Sequence, residues 1–324
     1  MPELFLTIFF ISILLIFLGT GIWVALSMVG VSAIGMLLFT SRPVGDAMAT
    51  TIWGTSSSWT LTALPLFVWM GEILFRTKLS ENLFKGLAPW MSRLPGGLVH
   101  VNVVGCALFA AISGSTIVNA VVFTRIAFPE MIKYGYSKSL SIGAIAGSGS
   151  FAAMIPPSIT MVIYAIMTEQ SVGQLLIAGI IPVILTAGVY LSGVWLLVRF
   201  RPNLAPIINT PVSWSERWRA AGQVWPILFL MFLVLGGIYS GLFPPSAAGA
   251  VGAAGAFCLA IARKRSIKGG WLGPALQDAA SISCLIFVIL IGGLLLSRML
   301  VVVGVIDDMV AQITAIASTP LRFM

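Results

Sequence analysis

Two long apolar segments of the chain are interrupted by short runs of small polar residues. The first segment, 99–131, is broken at 113–116 by Ser-Gly-Ser-Thr. The second, 140–167, is broken at 147–150 by Gly-Ser-Gly-Ser and at 155–158 by Ile-Pro-Pro-Ser. Consecutive prolines remove two backbone donors and stop a helix. A break inside a membrane leaves backbone groups unpaired unless protein or a water-filled cavity supplies partners. These breaks therefore mark places where main-chain atoms could meet a ligand.

The chemistry available at the breaks is binding of a cation and of an anion. Unwound backbone carbonyls can coordinate Na⁺, and the start of the helix after each break offers amide donors to a carboxylate. Hydroxyl oxygens suited to Na⁺ come from Ser113, Ser115, Thr116, Ser148 and Ser150. The alternative is that small residues only permit close helix packing. Two paired breaks favour binding, because packing alone does not require a helix to stop.

The elements that hold these breaks are predicted to be membrane helices. The chain is 59% hydrophobic and 9% charged, whereas soluble domains are roughly 25% charged. Six or more apolar stretches of about 17 to 25 residues recur, and each is long enough to cross a bilayer as a helix. The composition therefore predicts an all-α polytopic membrane protein.

The net charge of +8 could suggest a nucleic-acid partner, but its distribution favours a membrane topology. The basic residues cluster between apolar spans, within 76–93, 199–219 and 263–268, whereas the loops 168–171 and 241–246 contain no Lys or Arg. This is the positive-inside pattern. It predicts that the clusters are cytoplasmic and the N-terminus periplasmic, and it excludes nucleic-acid binding as the reason for the charge.

The same charges define a topology for the two broken segments. Arg93 precedes the first segment and Lys133 and Lys138 follow it, which predicts a re-entrant hairpin that enters and leaves on one side. The second segment is predicted to be two half-helices around an unwound centre. A polar stretch lies at 40–62, and the tryptophan-bearing connector 201–224 is predicted to lie in the membrane interface. The predicted divisions are N-terminal scaffold helices at 1–95, a first transport repeat at 96–170, scaffold helices at 171–270 and the start of a second transport repeat at 271–324.

A few isolated polar residues keep two interpretations each. Arg125 either extends to the interface or lines a cavity. Arg298, Asp307 and Asp308 are either substrate or proton groups, or residues solvated at the interface. An intramembrane enzyme is the least supported function, because the chain has a single histidine, His100, and no nucleophile with its base.

Several motifs resemble the large membrane subunit of tripartite ATP-independent periplasmic (TRAP) transporters. The matching sequences lie at 113–119, 128–131, 135–136, 155–159 and 177–182, in the order and spacing of that family. The resemblance covers almost the whole chain.

The resemblance implies an elevator-type, sodium-coupled secondary transporter of the bacterial inner membrane, built from two inverted repeats. It implies two protein partners, a small membrane subunit and a periplasmic binding protein that delivers an organic acid such as a dicarboxylate. It implies no cofactor, with Na⁺ as the coupling ion. The implied substrate-binding residues are Ser113, Ser115, Thr116, Asn119, Ser150, Pro156 and Pro157. The implied sodium ligands are Ser113, Gly114, Ser115, Gly147, Ser148 and Gly149.

The chain also departs from the family pattern. The family's Thr-Pro-Thr-Glu opening of the second half is replaced by Pro-Pro-Ser-Ala at 244–247, and the loop at 147–151 is bulkier and more hydroxylated than the usual glycine-rich version. The second repeat is expected to be incomplete, without its hairpin and unwound helix. The alternative function is therefore a structural or assembly subunit, or an inactive fragment.

Overall fold

The fold is built from helices, and they form two compact units. A computed structural model describes residues 2–41, 43–77, 79–206, 212–262, 270–306 and 310, and among these residues there is no β-strand. One unit comprises residues 1–58 together with the described residues from Cys284 onward, and the other comprises 59–283. The predicted basic cluster at 263–268 and the pair Asp307 and Asp308 lie outside the described residues.

The first unit begins with two apolar helices, α1 (Pro2–Gly19) and α2 (Val24–Phe39). They are joined by a turn in which Gly21 has φ +81°, a conformation that favours glycine. A third helix, α3 (Val44–Ser56), follows, and the unit is completed by the later part of α14 (Leu272–Val302). Its core contains Phe10, Val31, Met36, Met299 and Val305.

In the second unit, four helices pack lengthwise in two pairs. Helix α13 (Pro245–Ala262) packs along α4 (Ala63–Arg76), and α12 (Trp214–Tyr239) packs along α5 (Leu79–Met91). The α5–α12 approach is close at Gly86, where an added Cβ would lie 2.8 Å from a backbone carbonyl oxygen of α12. A small residue is therefore required at that crossing.

The broken segments pack on these helices mainly through the helix Gly97–Ser113, which is almost entirely buried. The first is a pair of helices, α6 (Gly97–Ser113) and α7 (Thr116–Lys133). The second consists of α8 (Lys138–Gly149), one 3₁₀ turn at Ser150–Ala153, an unwound linker and α9 (Ile159–Met167). The predicted breaks at 113–116 and 155–158 are confirmed. The break predicted at 147–150 is wrong for 147–149, because α8 continues through Gly149 and the unwinding begins only after it.

The remaining helices are long and apolar. Helix α10 (Val172–Ala178) continues into α11 (Ile180–Phe200) with a single interruption at Gly179. Within the described residues, four helical stretches are long and apolar enough to cross a membrane, at 172–200, 214–239, 245–262 and 272–302, or five if the bent pair 44–56 and 59–76 is one span. The all-α polytopic fold is therefore confirmed.

Two parts of the sequence-based outline differ from the structure. No element was predicted for the polar stretch 40–62, and it contains α3, in which threonine hydroxyls donate to carbonyls of the preceding turn. The interfacial connector 201–224 is not separate from the following span, because α12 starts at Trp214 and runs through Pro226 without a break. A capping box at Ser213 and Glu216 explains why the helix begins there. The scaffold and transport divisions remain predictions.

Candidate functional site

The limbs α6 and α7 lie side by side and form a hairpin. The Asn119 side-chain amide on α7 donates to the Cys106 carbonyl on α6 at 3.1 Å. The Phe109 and Phe123 rings meet edge to face, with centroids 6.1 Å apart. Contacts between residues on opposite sides of the break require the chain to reverse direction, so residues 113–116 are the tip of a hairpin.

The tip is turned by glycine and restarted by serine. Gly114 has φ +59°, and its amide donates to the Ala110 carbonyl at 3.1 Å, which ends α6. The Ser115 hydroxyl accepts a hydrogen bond from the Val118 amide at 3.4 Å, which starts α7. Gly114 is thus the C-cap of α6, and the next residue, Ser115, is the N-cap of α7.

The hairpin tip contacts the unwound linker of the second broken segment. The Ile159 amide donates to the Gly114 carbonyl at 3.3 Å. A Cβ added to Gly114 would lie 2.5 Å from the Pro157 carbonyl oxygen, so only glycine fits. Ser158 fixes the linker, because its hydroxyl donates to the Ala153 carbonyl at 2.7 Å and accepts from the Met161 amide at 3.4 Å. The two breaks thus meet at one place.

Two helix starts converge at this contact. Helix α7 begins at Thr116 and α9 begins at Ile159, directly beside the Gly114–Ile159 hydrogen bond. A helix N-terminus carries a partial positive charge and unpaired amide donors. Two such ends at one point favour an anion, and a carboxylate can accept from both.

Two buried oxygens of the hairpin have no hydrogen-bond partner among the described residues, one at the tip and one farther down α7, opposite Cys106. They are Ser113 Oγ and Asn119 Oδ1, and both residues have 0% relative exposure. The Asn119 amide nitrogen is identified by its bond to the Cys106 carbonyl, so the open atom is the acceptor oxygen. Buried polar atoms normally have a partner. A serine hydroxyl and an amide oxygen are both suitable ligands for a small hard cation.

Residues 147–149 form a second group, away from the tip. The Ser148 hydroxyl accepts from the Asn102 amide at 2.8 Å and donates to the Ala144 carbonyl at 2.6 Å. Asn102 precedes Ser113 by eleven residues on α6, which is about 16 Å along a helix. The structure therefore places the predicted sodium ligands in two groups, with Ser113, Gly114 and Ser115 at the tip and Gly147, Ser148 and Gly149 lower on the hairpin.

Comparison with known proteins identifies the family. The sequence profile of the DctM component of tripartite ATP-independent periplasmic transporters matches residues 9–324. The chain belongs to this family. The family is a family of transporters, so the chain is a transporter component and not an enzyme. Together with its apolar helices, this makes it a multi-pass membrane protein.

Individual members of the DctM family are about 30% identical to this chain. The chain is 30% identical over 292 residues to the Pseudomonas aeruginosa C4-dicarboxylate TRAP transporter large permease protein DctM, covering 90% of this chain and 67% of the relative. It is 33% identical to the Halomonas elongata ectoine TRAP transporter large permease protein TeaC, and the match covers 72% of this chain and 54% of that relative. It is 30% identical to the Escherichia coli 2,3-diketo-L-gulonate TRAP transporter large permease protein YiaN, covering 82% and 62%. The chain thus spans between about half and two-thirds of these relatives.

The other predicted substrate residues of this DctM-family chain occupy different surroundings. Pro156 and Pro157 are buried in the linker, and Thr116 is partly buried at the start of α7. Ser150 is exposed, and its hydroxyl donates to the Gly147 carbonyl in the last turn of α8 at 2.7 Å. Their roles stay predictions.

Three residues at the site were not singled out by sequence reasoning. Asn102 bonds to Ser148, and Ser158 caps α9. Tyr190 on α11 covers Gly147, because a Cβ on that glycine would lie 2.5 Å from the tyrosine ring. An asparagine inside an apolar helix is a usable signal for Asn102, and the serine after two prolines is one for Ser158. Nothing in the sequence connects Tyr190 to Gly147.

The isolated arginines do not lie at the hairpin tip. Arg125 is exposed, stacks 5.5 Å from the Phe75 ring centroid and lines a cavity of about 490 Å³ beside α5. Arg298 donates from one guanidinium nitrogen to the hydroxyls of Thr50 and Thr51 on α3, at 3.0 and 2.8 Å. Arg298 is thus held by a helix of its own unit.

One charged cluster was also absent from the predictions. Arg76 pairs with Glu72 on the same helix and with Asp278 on α14. The Glu72 side chain is 5% exposed and the Asp278 side chain 49%. The burial of Glu72 makes its pairing with Arg76 structurally important.

Proposed function

We propose that this chain is the large permease part of a sodium-coupled secondary transporter that takes up an organic acid delivered by a periplasmic binding protein. The transporter would sit in the bacterial inner membrane, with the N-terminus of this chain in the periplasm. The observation that carries the proposal is the contact of Gly114 with Pro157 and Ile159, which joins the two interrupted segments and their helix starts.

The substrate in this proposal is a carboxylate. The starts of α7 and α9 supply amide donors and partial positive charge at the same point. The names of two relatives specify carboxylates, C4-dicarboxylate and 2,3-diketo-L-gulonate. We place the substrate's carboxylate beside Ser115 and Thr116, with Asn119, Ser150, Pro156 and Pro157 as the remaining predicted contacts.

The coupling ion in this proposal is Na⁺ at the hairpin tip. Ser113 Oγ at the tip is a buried oxygen that lacks a partner among the described residues, and backbone carbonyls of the tip can add further ligands. The Ser148 hydroxyl already has a donor and an acceptor. Residues 147–149 therefore contribute by holding α8 against the hairpin.

The partners and the motion are part of this proposal, and membership of the family supports the partners. The proposed partners are a small membrane subunit and a periplasmic binding protein. The proposed motion is an elevator movement of the hairpin-bearing domain. The exposed apolar surface of α11, including Ile181, Leu185 and Val189, is available to lipid or to another membrane subunit.

Uptake measurements test the coupling directly. The full transporter assembly is reconstituted into proteoliposomes, and uptake of radiolabelled organic acids is measured with an inward sodium gradient and with equal sodium on both sides. We expect uptake only with the gradient. Equal uptake in the two conditions would rule out sodium coupling.

A variant separates transport from a purely structural role. Ser115→Trp places a bulky ring at the start of α7, where the partly buried serine caps the helix. We expect this variant to assemble with its partners but to lose uptake. Unchanged uptake would instead support the alternative of a structural or assembly subunit.

A further inference from the structure

A second cavity in the same unit lies between α8 and α11, outside the hairpin tip. It has a volume of about 610 Å³. Its walls are apolar or small, formed by Leu140, Gly143 and Ala144 on one helix and by Val189, Gly193 and Leu197 on the other. Both glycines open the groove, because a Cβ added to either one would have no atom within 4 Å. This cavity is therefore an open groove with mainly apolar walls.

One end of this groove is polar and positive. Arg201 lies there with Ser137 and Ser139, and no acidic residue is among the described residues that line the groove. Within the described part of the chain, Arg201 has no carboxylate partner. The Ser137 amide donates to the Leu204 carbonyl at 2.9 Å. This bond joins the backbone segment before α8 to the segment after α11. The Ser137 side chain makes no capping bond to α8.

The position of the groove relative to the membrane follows from the residues around it. Helix α11 is part of a stretch long enough to span the bilayer, and it ends at Phe200 beside Arg199 and Arg201. The cationic end therefore lies where a spanning helix leaves the hydrocarbon. The apolar walls run from there into the hydrocarbon region, as far as Tyr190.

A ligand that fits must be amphipathic and anionic. A free organic anion would use Arg201 but would leave the apolar walls uncovered, and an uncharged lipid would leave the guanidinium unpaired. We infer that the groove binds one anionic phospholipid, with its phosphate at Arg201 and the start of α8 and an acyl chain between Gly143 and Gly193. The inner end of that chain would contact Tyr190, which packs on Gly147 and Phe151 of the second broken segment.

Native mass spectrometry of the purified chain provides the test. The protein is mixed with phosphatidylglycerol or phosphatidylcholine of identical acyl chains, and the retained lipid is counted. We expect one phosphatidylglycerol to be retained in preference. Arg201→Gln should weaken its retention about fivefold, the effect of one interfacial basic residue. Gly193→Leu should abolish it by filling the groove, and Gly143→Leu repeats that test from the opposite wall.

Matched controls exist on the same helix. Arg199 lies two residues before Arg201 but does not line the groove, and Gly188 is equally open but lies outside it. Arg199→Gln and Gly188→Leu should retain phosphatidylglycerol like the unmodified chain. The inference is overturned if both lipids bind equally, if the control variants lose lipid as strongly as the groove variants, or if glycerol 3-phosphate binds as tightly as the complete lipid.

Discussion

The Ile159 amide donates to the Gly114 carbonyl at 3.3 Å, so the first residue of one helix is bonded to the tip of the preceding hairpin. This single bond brings together two stretches of chain that each stop being helical inside an apolar segment. Each stretch satisfies part of the other's backbone, which reduces the cost of the breaks in an apolar surrounding. The contact therefore stabilises the fold and positions the proposed site.

We predict that Gly114→Ala will separate the two helix starts. The new Cβ would lie 2.5 Å from the Pro157 carbonyl oxygen, and the left-handed backbone at φ +59° adds about 1–2 kcal/mol for a residue with a side chain. Thermal unfolding of the purified chain should shift to lower temperature, and stabilisation by organic acids should be lost.

The control for that prediction is Gly188→Ala on α11. This glycine is helical and an added Cβ meets no atom within 4 Å. The variant should gain up to about 1 kcal/mol, because alanine has the higher helix propensity. If Gly114→Ala unfolded at the same temperature as Gly188→Ala, the close packing at the tip would be refuted.

Ser113 and Ser148 are predicted to respond oppositely to alanine substitution. In sodium-free buffer, Ser113→Ala should leave the free energy of unfolding unchanged or raise it by about 1 kcal/mol, because a buried hydroxyl without a partner is removed. The same variant should lose the stabilisation produced by added sodium. The measurement is chemical unfolding in potassium and in sodium buffers of equal ionic strength.

Ser148→Ala should show the reverse pattern. It leaves the buried Asn102 amide without its acceptor, which costs about 1–3 kcal/mol in either buffer. The increment produced by sodium should persist, since this hydroxyl is not placed at the ion. A sodium response lost in Ser148→Ala and retained in Ser113→Ala would move the ion from the hairpin tip to the lower group.

Gly147 and Tyr190 are predicted to be energetically coupled. Gly147→Ala pushes a Cβ to 2.5 Å from the Tyr190 ring, and Tyr190→Ala removes the edge-to-face contact with Phe151 at 5.2 Å. In the double variant the clash no longer exists. The combined loss of unfolding free energy should therefore be smaller than the sum by about 1–2 kcal/mol.

Gly143→Ala supplies the comparison for that cycle. It lies one turn earlier on α8, and its added Cβ meets nothing within 4 Å. Its effect should add to that of Tyr190→Ala within about 0.5 kcal/mol. Equal coupling at both glycines would mean that Tyr190 acts through a general rearrangement of α8 and not through direct contact.

The sequence predicts where the helices break but not what each break contacts. Prolines 156 and 157 and the glycine at 114 have local conformational requirements, so the stops could be located from residue type alone. The bonds from Gly114 to Ile159 and from Asn102 to Ser148 join residues 45 and 46 positions apart. They depend on how the hairpin packs on the second segment, and no local pattern encodes that packing.

Helix boundaries in polar stretches were also beyond the sequence. Helix α3 was missed because threonine and glycine favour other conformations, yet its hydroxyls bond back to its own carbonyls. Helix α12 was divided because the composition changes from polar to apolar near Pro226. A single helix that is polar in its first part and apolar in its second part has the same sequence pattern as an interfacial connector followed by a separate membrane-spanning helix.

The two carboxylates that pair with Arg76 are predicted to differ in their contribution to stability, because Glu72 is buried and Asp278 is half exposed. Arg76→Leu leaves the 5%-exposed Glu72 side chain without its cation. Because the Arg76 side chain is itself 26% exposed, the loss of stability should be about 1–3 kcal/mol, below that of a fully buried pair. Asp278→Asn should cost no more than about 1 kcal/mol, because that carboxylate is 49% exposed and Glu72 still pairs with the arginine. Unfolding of the purified variants in denaturant measures both values.

A double substitution determines whether charge is the cause. Glu72→Leu combined with Arg76→Leu removes the buried carboxylate together with its cation, so most of the stability lost in Arg76→Leu alone should return. Lys85→Ala tests an exposed pair on the next helix, whose lysine side chain is 60% exposed, and it should change stability by less than about 1 kcal/mol. If the double variant were as unstable as Arg76→Leu, the arginine would act through packing of its aliphatic stem, because loss of the charge partner would no longer account for the defect.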